Sequence, residues 1–260
     1  MTKKQLGQNF LYDPSILCRI ADAAGITSAD MVVEIGPGPG TLTRLLAEKA
    51  GKVLAIELDA ELVGRLRREF IAYGNVEIIH GDALGFPYES VGEFKVVANI
   101  PYYITTPIIF RLLDAGSNLK SMTLTIQKEV AERIAAGPGS RTYGVLSIMV
   151  AYHAETELKF VIPREAFSPV PKVDSAVIHA SILDRPPVTV TDERLLFALI
   201  RTAFSQRRKT LANSLKGMSP DIREILLAAG IDPQRRPETL SLQEFATVAA
   251  VLTAKTGRAV

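Results

Sequence analysis

Short apolar runs that alternate with helical stretches are the feature that most restricts the fold of this chain. The runs are rich in Val, Ile, Leu and Thr, as strands buried on both faces should be. They cover residues 31–35, 52–58, 76–79, 94–98 and 121–126. Between them lie segments such as 41–50 and 60–73, in which apolar residues recur at helical spacing. Strands that alternate with helices predict right-handed crossovers and a parallel sheet with helices on both faces.

The pattern changes after residue 151. Segments 153–162 and 175–183 predict two further strands, joined by a proline-rich loop, and this hairpin would complete a seven-stranded, mostly parallel sheet. Pro186 and Pro187 mark a boundary, because consecutive prolines allow neither a helix nor a strand ladder to continue. The signals that follow are all helical. We therefore predict an α/β domain over residues 1–187 and a small all-α domain over residues 188–260.

Composition excludes several classes of protein. With 47% hydrophobic and 22% charged residues, the chain is too apolar and too close to neutrality to be disordered. The single cysteine, Cys18, rules out an intramolecular disulfide, and we predict that it lies in the core. The three histidines lack metal-ligand spacing, so we predict no metal site. Neither a signal-peptide pattern nor a run of 18 apolar residues is present, and we expect a cytoplasmic protein without a membrane segment.

A glycine-rich turn with the sequence EIGPGPG follows the first buried strand and opens a helix. Glycines let a ligand approach the backbone, and the free N–H groups at a helix start favour polar ligand groups. Such a turn can also serve only to bend the chain. The spacing of Gly36, Gly38 and Gly40 differs from the dinucleotide pattern, whose third glycine would fall at Thr41. This difference argues against a nicotinamide oxidoreductase.

Two acids end or follow the next strands. Glu57 lies 21 positions after Gly36 and could accept hydrogen bonds from both hydroxyls of an adenosine ribose. NAD and S-adenosylmethionine (SAM) would both satisfy it, so Glu57 indicates adenosine and not a reaction. Asp82 could accept a hydrogen bond from the exocyclic amine of the adenine, or it could be a turn residue that follows Gly81.

The segment Asn99-Ile100-Pro101-Tyr102 directly follows the fourth strand. It places an amide, carbonyls and an aromatic ring at the carboxyl edge of the sheet, where open α/β folds bind ligands. An aromatic amine is a poor nucleophile because its lone pair is delocalised into the ring. Acceptance of its hydrogens by the Asn99 side chain and by a backbone carbonyl would localise that lone pair, and Tyr102 would hold the ring by stacking. The segment therefore predicts chemistry on an aromatic amine.

Four blocks of sequence together resemble a known family. They are GQNFL at 7–11, EIGPGPG at 34–40, NIPYYITTP at 99–107 and FSPVPKVDSAV at 167–177. With Glu57 and Asp82 they resemble class I SAM-dependent methyltransferases and, more narrowly, the ribosomal RNA adenine N6,N6-dimethyltransferase family. This resemblance implies a Rossmann-like sheet, SAM as methyl donor and no metal. It also implies dimethylation of N6 of two adjacent adenines in the hairpin loop near the 3′ end of 16S rRNA, in the small ribosomal subunit, during ribosome biogenesis.

The resemblance also implies a role for individual residues. Asn9 and Leu11 would contact SAM, as would Gly36 and Gly38 around its methionine portion. Glu57 would hold the ribose, and Asp82 would hold the adenine of the cofactor. Asn99 would border the cofactor and bind the target amine. Phe167 would stack on the target adenine opposite Tyr102.

A basic stretch lies near the C-terminal end. Residues 195–220 contain no acid and five basic residues, namely Arg201, Arg207, Arg208, Lys209 and Lys216. On charge alone they could form a solvated helix face or a surface that contacts phosphates. The resemblance favours RNA binding by Arg201, Arg207, Arg208 and Lys209, in a monomeric protein. Two alternatives remain: an antibiotic-resistance methyltransferase that acts on large-subunit rRNA, and a non-enzymatic assembly factor.

Overall fold

The computed structural model describes residues 9–206 and 208–257. They form two compact units. The first runs to Ala131 and continues over Glu155–Ile182, and the second comprises Glu132–Ala154 and the chain from Leu183 onward. The structure thus divides the chain differently from the predicted domains 1–187 and 188–260. Residues 132–154 belong with the C-terminal helices because side chains such as Ile148 and Tyr152 share their hydrophobic core.

The first unit is built on a seven-stranded sheet. In chain order the described strands, of which β1 and β8 lie outside this sheet, are β1 (Phe10–Leu11), β2 (Met31–Ile35), β3 (Lys52–Glu57), β4 (Val76–His80), β5 (Phe94–Asn99), β6 (Leu119–Gln127), β7 (Ala154–Ile162), β8 (Phe167–Ser168) and β9 (Ser175–Ile182). The sheet has the order β4-β3-β2-β5-β6-β9-β7. Strands β2 to β6 pair in parallel, and β9 runs antiparallel to β6. The predicted α/β fold is confirmed, and β1 and β8 form a separate two-stranded sheet that was not predicted.

The central strands are buried, as their composition predicts. Val96, Val97 and Ala98 of β5 are fully buried, as are the apolar residues Val32 and Val33 of β2. Because β4, β3, β2 and β5 are parallel neighbours, their carboxyl ends meet at one edge of the sheet. That edge therefore brings together the residues that follow these strands in sequence.

The helices differ in how they begin, and some start at a capping side chain. In chain order they are α1 (Pro14–Ala23), α2 (Thr41–Lys49), α3 (Ala60–Glu69), α4 (Thr105–Leu113), α5 (Lys128–Ile134), α6 (Val145–His153), α7 (Glu193–Phe204), α8 (Leu211–Ser214), α9 (Ile222–Ala228) and α10 (Leu242–Thr256). Asp13 caps α1 by accepting from the Ser15 N–H, and the capping box of Ser241 and Glu244 starts α10. None of the described helices is long and apolar enough to cross a membrane.

Two further features concern the core. In the second unit, Leu196, Leu199 and Ile200 of α7 are buried against the neighbouring helices, and their spacing puts them on one face of α7. The prediction for Cys18 is wrong: its side chain is exposed. The buried stripe of α1 consists of Leu17, Ile20 and Ala21, and Cys18 lies beyond the edge of that stripe on the helix surface.

Candidate active site

A cavity of about 310 Å³ opens at the carboxyl edge of β2 to β5. It lies where an open α/β sheet is expected to bind its ligand. Six of the predicted site residues line it: Asn9, Gly36, Glu57, Asp82, Asn99 and Tyr102. The remaining lining is mainly apolar, with Ile56, Leu58, Ala83, Leu84 and Ile100 among its members.

The glycine-rich turn requires its glycines for two reasons. Gly36 and Gly38 have φ angles of 66° and 57°, a left-handed conformation that other residues adopt at a cost. Gly38 also lacks room for a side chain, because a Cβ there would lie 2.5 Å from Cε1 of Phe10. The Gly36 N–H donates to the carbonyl of Ile56, which holds the turn against β3. Gly36 lines the cavity and the predicted site residue Gly38 does not, so the turn forms part of the cavity wall through Gly36.

Glu57 connects this turn to the end of β3. Its carboxylate is 3% exposed, and Oε1 accepts hydrogen bonds from the N–H groups of Leu58 and Asp59 at 2.8 and 2.9 Å. Oε2 accepts from the Gly38 N–H at 3.2 Å. A carboxylate offers about four acceptor positions, so these three backbone bonds leave capacity for a ligand hydroxyl. Glu57 can thus orient the turn and bind a ligand with the same group.

Glu34 is a second buried acid and is not among the predicted site residues. It is 2% exposed, and neither its Oε2 nor the buried Oγ1 of Thr43 has a hydrogen-bond partner among the described residues. Burial raises the pKa of Glu34 to about 8; the nearby Thr43 hydroxyl opposes the increase, and the negative charge of Glu57 adds to it. The carboxyl group is therefore largely protonated at neutral pH. The signal in the sequence that could have identified Glu34 is an acid within a run of apolar strand residues.

Asp82 shapes the turn after β4, as one of its two predicted roles requires. Its side chain is exposed, and Oδ1 accepts from the Leu84 N–H at 2.9 Å, which stabilises the turn after β4. Asp82 also lines the cavity beside Gly81. Its position therefore allows it to bind a ligand as well as to shape the turn.

The Asn99 side chain is fixed by the N-terminal segment. Its Nδ2 lies 3.1 Å from the backbone carbonyl oxygen of Asn9. A carbonyl can only accept, so the amide nitrogen must face Asn9, and the amide oxygen is left to face another donor. The backbone after β5 is held as well, because the Ile100 N–H donates to the carbonyl of Thr125. The arrangement presents a positioned acceptor at the cavity.

Two tyrosines follow Asn99 and differ in their surroundings. Tyr102 is half-buried, and its Oη lies 2.7 Å from Oγ of Ser175. Burial raises the pKa of Tyr102, so the phenol stays neutral at physiological pH. Tyr103 is 56% exposed and also lines the cavity. Neither Ser175 nor Tyr103 is among the predicted site residues, although both lie within the sequence blocks that carry the resemblance.

Leu11 and Phe167 are predicted site residues that the structure places elsewhere. They face each other across the β1–β8 pair, and both belong to a buried hydrophobic cluster with Leu17. Successive residues of a strand point to opposite faces, so the pairing turns Leu11 into the core and Phe10 toward the cavity. Phe167 is 2% exposed and does not line the cavity. Stacking of Phe167 on a base would require it to leave this packing.

The basic residues lie in the second unit. Arg201 is exposed on α7, and Arg208 and Lys209 are exposed in the turn before α8. Arg207 lies outside the described residues. These side chains are accessible to a polyanion.

The sheet and its cavity define the class of this protein. A mostly parallel seven-stranded sheet carries a glycine-rich turn, the buried acid Glu57 and the Asn99–Tyr102 segment at one edge, an arrangement that fits a SAM-dependent methyltransferase. The model of the ribosomal RNA adenine dimethylase family matches residues 1–254. The chain belongs to that family and is an rRNA methyltransferase with SAM as methyl donor.

Individual relatives agree with this assignment. A ribosomal RNA small subunit methyltransferase A of Clostridium acetobutylicum is 50% identical over 249 residues, which cover 93% of this chain and 90% of the relative. The enzyme of the same name from Geobacillus thermodenitrificans is 47% identical over 265 residues, which cover 96% of this chain and 90% of the relative. Among solved structures, a dimethyladenosine transferase from Plasmodium falciparum superimposes with a TM-score of 0.81 at 29% identity, covering 95% of this chain and 98% of that one. The 23S rRNA methyltransferase ErmE superimposes with a TM-score of 0.74 at 28% sequence identity, covering 94% of this chain and 99% of that one.

Proposed function

We propose that this enzyme dimethylates N6 of two adjacent adenines in the hairpin loop near the 3′ end of 16S rRNA, in the small ribosomal subunit, during ribosome biogenesis. The observation that carries the proposal is the fixed amide of Asn99 beside Tyr102 in the cavity, because an aromatic amine needs such an acceptor. The relatives of about 50% identity that are named for the small subunit support the choice of RNA.

The residues of the cavity fit SAM. Glu57 retains acceptor capacity for a ribose hydroxyl, and Asp82 lines the cavity where it could accept from an adenine amine. Apolar side chains, including Ile56 and Ala83, offer contacts for the faces of an adenine ring. The turn at Gly36 lets the methionine portion approach the backbone. When bound, SAM supplies a methyl group that is activated by its bond to a positively charged sulfur.

The chain's own groups act on the target adenine. We assign to the Asn99 oxygen the acceptance of one amine hydrogen, with a backbone carbonyl of the same segment accepting the other. These bonds would draw the lone pair away from the ring and toward the methyl group. The neutral ring of Tyr102 would hold the base by stacking, a contact worth about 1–3 kcal/mol. The methylated amine becomes acidic and can lose its proton to water, so the proposal requires no dedicated base.

The target must be accessible to this cavity. A base has to leave its stack to enter, at a cost of a few kcal/mol that is smallest for an unpaired base. This cost favours a hairpin loop, where proteins commonly recognise RNA bases. Arg201, Arg208 and Lys209 are exposed and could neutralise backbone phosphates, and the same role is proposed for Arg207. Action as a monomer in the cytoplasm stays a prediction.

The decisive experiment is transfer of labelled methyl groups from SAM to undermethylated small subunits, followed by mapping of the modified nucleotides. Dimethyladenosine at two adjacent positions of the loop is expected. Asn99→Ala should lower the single-turnover rate about 10²- to 10³-fold, the loss seen when one positioned polar group of an active site is removed. Asn118→Ala is the matched control, because its Nδ2 also donates to a backbone carbonyl, that of Glu89, away from the cavity.

Other outcomes would favour the alternatives. The structural similarity to ErmE makes large-subunit rRNA the first rival substrate. The assay is therefore repeated with large-subunit RNA, and label on that RNA with none on small subunits would overturn the proposal in favour of that activity. A protein that binds the small subunit but transfers no methyl group would instead be an assembly factor. A near-normal rate for Asn99→Ala would refute the assigned mechanism, and cofactor affinity must be measured alongside because Asn99 also lines the cofactor cavity.

A further inference from the structure

Ser175 is a buried polar residue to which neither the sequence blocks nor the family relationship assigns a role. It is the first residue of β9, its side chain is fully buried, and its Oγ lies 2.7 Å from Oη of Tyr102. We propose that Ser175 is a positioning residue that fixes the ring of Tyr102 for stacking on the target base. The inference rests on the proposed function, because it takes Tyr102 to be the stacking surface.

The Tyr102 ring needs an anchor at its far end. The ring projects from a short 3₁₀ turn, Tyr102–Ile104, at the edge of the sheet. Backbone bonds on both sides fix the main chain: the Ile100 N–H donates to Thr125, and the Ile104 N–H donates to Pro101. These bonds leave both side-chain torsions of Tyr102 free. A hydrogen bond at the hydroxyl constrains these torsions, so the ring presents a more constant face to a base.

Ser175 is a rigid anchor because β9 holds it in the sheet. It pairs with Gln127 of β6 in the antiparallel ladder. The preceding residue is tied down as well: the Asp174 carbonyl accepts from the Lys128 N–H at 3.0 Å, and its carboxylate accepts from the Arg164 N–H at 3.1 Å. Burial of Ser175 excludes competing water and strengthens its bond to Tyr102.

The same contact gives a reason for part of the FSPVPKVDSAV block. Phe167, at the start of that block, is buried with Leu11 and does not reach the cavity in this structure. Ser175, near its end, contacts Tyr102 directly. In the structure, the block therefore contacts Tyr102, the proposed stacking surface, through Ser175.

The test removes the hydrogen bond from each side. Ser175→Ala and Tyr102→Phe both delete it, and the second keeps the aromatic ring. Each variant should lower the single-turnover methylation rate of undermethylated small subunits, at saturating SAM, by about 2- to 12-fold, the factor that one neutral hydrogen bond is worth. The double variant should be no slower than the slower single variant, because both changes remove one interaction. Affinity for SAM, measured by calorimetry, should be unchanged in Ser175→Ala.

The matched control is Ser181→Ala, a serine of the same strand that is exposed and whose Oγ contacts Nε2 of His179. It should keep the wild-type rate. A slow Ser175→Ala beside a Tyr102→Phe of wild-type rate would overturn the inference, since the serine would then act through something other than the tyrosine. Independent, additive losses would overturn it as well.

A second measurement does not depend on the reaction. A crystal structure of Ser175→Ala should show the Tyr102 ring displaced or in more than one conformer. A ring in its original single position would overturn the positioning role. If the wild-type enzyme fails to methylate small-subunit RNA, the proposed function fails, and the crystal structure still decides whether Ser175 holds the ring. Should Ser175→Ala not fold, Tyr102→Phe in its place provides the rate and the ring position by the same criteria.

Discussion

Replacement of Gly38 by alanine tests whether the glycine-rich turn is shaped for the cofactor or only bends the chain. The φ angle of 57° places Gly38 in the left-handed region, and an alanine there costs about 1–2 kcal/mol. The new Cβ would also lie 2.5 Å from Cε1 of Phe10, which lines the cavity. The aromatic ring, the turn, or both must therefore move.

The affinity for SAM is where this movement should appear. The Gly38 N–H donates to Oε2 of Glu57, the acid assigned to the ribose, and a hydrogen bond to a charged group is worth about 1.5–3 kcal/mol. A shift of the turn that breaks this bond and disorients Glu57 should raise the Kd for SAM about tenfold or more. The loss of stability should exceed the left-handed strain, because the broken bond to the buried Glu57 carboxylate adds its own cost.

Gly25→Ala is the matched control. Gly25 has nearly the same φ, 56°, and a Cβ there would meet no atom within 4 Å. Denaturant unfolding should give Gly25→Ala a loss near the left-handed strain alone, smaller than that of Gly38→Ala. Titration calorimetry should give Gly25→Ala the wild-type affinity for SAM. Equal SAM affinities for Gly38→Ala and Gly25→Ala would refute the argument, since the turn would then bend the chain without shaping the site.

Three further changes test other parts of the site and the basic surface. Glu57→Gln should weaken SAM binding at least about tenfold and also lower the free energy of unfolding. The reason is that a carboxamide has one acceptor oxygen for three backbone N–H groups. An unchanged SAM affinity in calorimetry would exclude this ribose site. Burial raises the pKa of Glu34 from 4.5 to about 8, so the folded protein keeps a proton that the unfolded chain releases between these pH values. Its contribution to stability therefore falls by up to about 1.4 kcal/mol per pH unit as the pH rises through that window, and Glu34→Gln should remove this loss; parallel curves of unfolding free energy against pH for the two proteins would contradict it. Replacement of Arg208 and Lys209 by Gln should weaken binding to the small subunit. It should also reduce the slope of log affinity against log salt by about 0.7–0.9 for each phosphate that is no longer neutralised. A wild-type slope would show that both residues are solvated surface charges that contact no phosphate.

Much of the architecture follows from local chemistry that the sequence displays. The strands at 31–35 and 175–182 lie where apolar, β-branched runs predict them, and Asp13 and Ser241 start helices because their side chains can accept the first free N–H groups. The helix α6 shows the limit of this approach. Its buried residues run around most of the helix, so it has no polar face whose spacing could reveal the helical period.

Site residues that end or closely follow parallel strands could be predicted from the sequence. Glu57, Asp82 and Asn99 lie at the cavity because the ends of neighbouring parallel strands must meet at one edge. The directions of side chains in the short strands were not predictable. Leu11 and Phe167 point into the core because β1 pairs with β8 in one particular register, and a shift of one residue would turn the opposite faces inward.

Local sequence is enough to predict most of the strands and helices and the chemical groups that end the strands, because these depend on neighbours within a few positions. Which of those groups touch one another depends on tertiary packing. Asn99 bonds to Asn9 across 90 positions, and Tyr102 bonds to Ser175 across 73. The burial that raises the pKa of Glu34 likewise comes from elements packed around it. Such contacts follow from how the sheet and its loops pack together, which no local pattern of residues encodes.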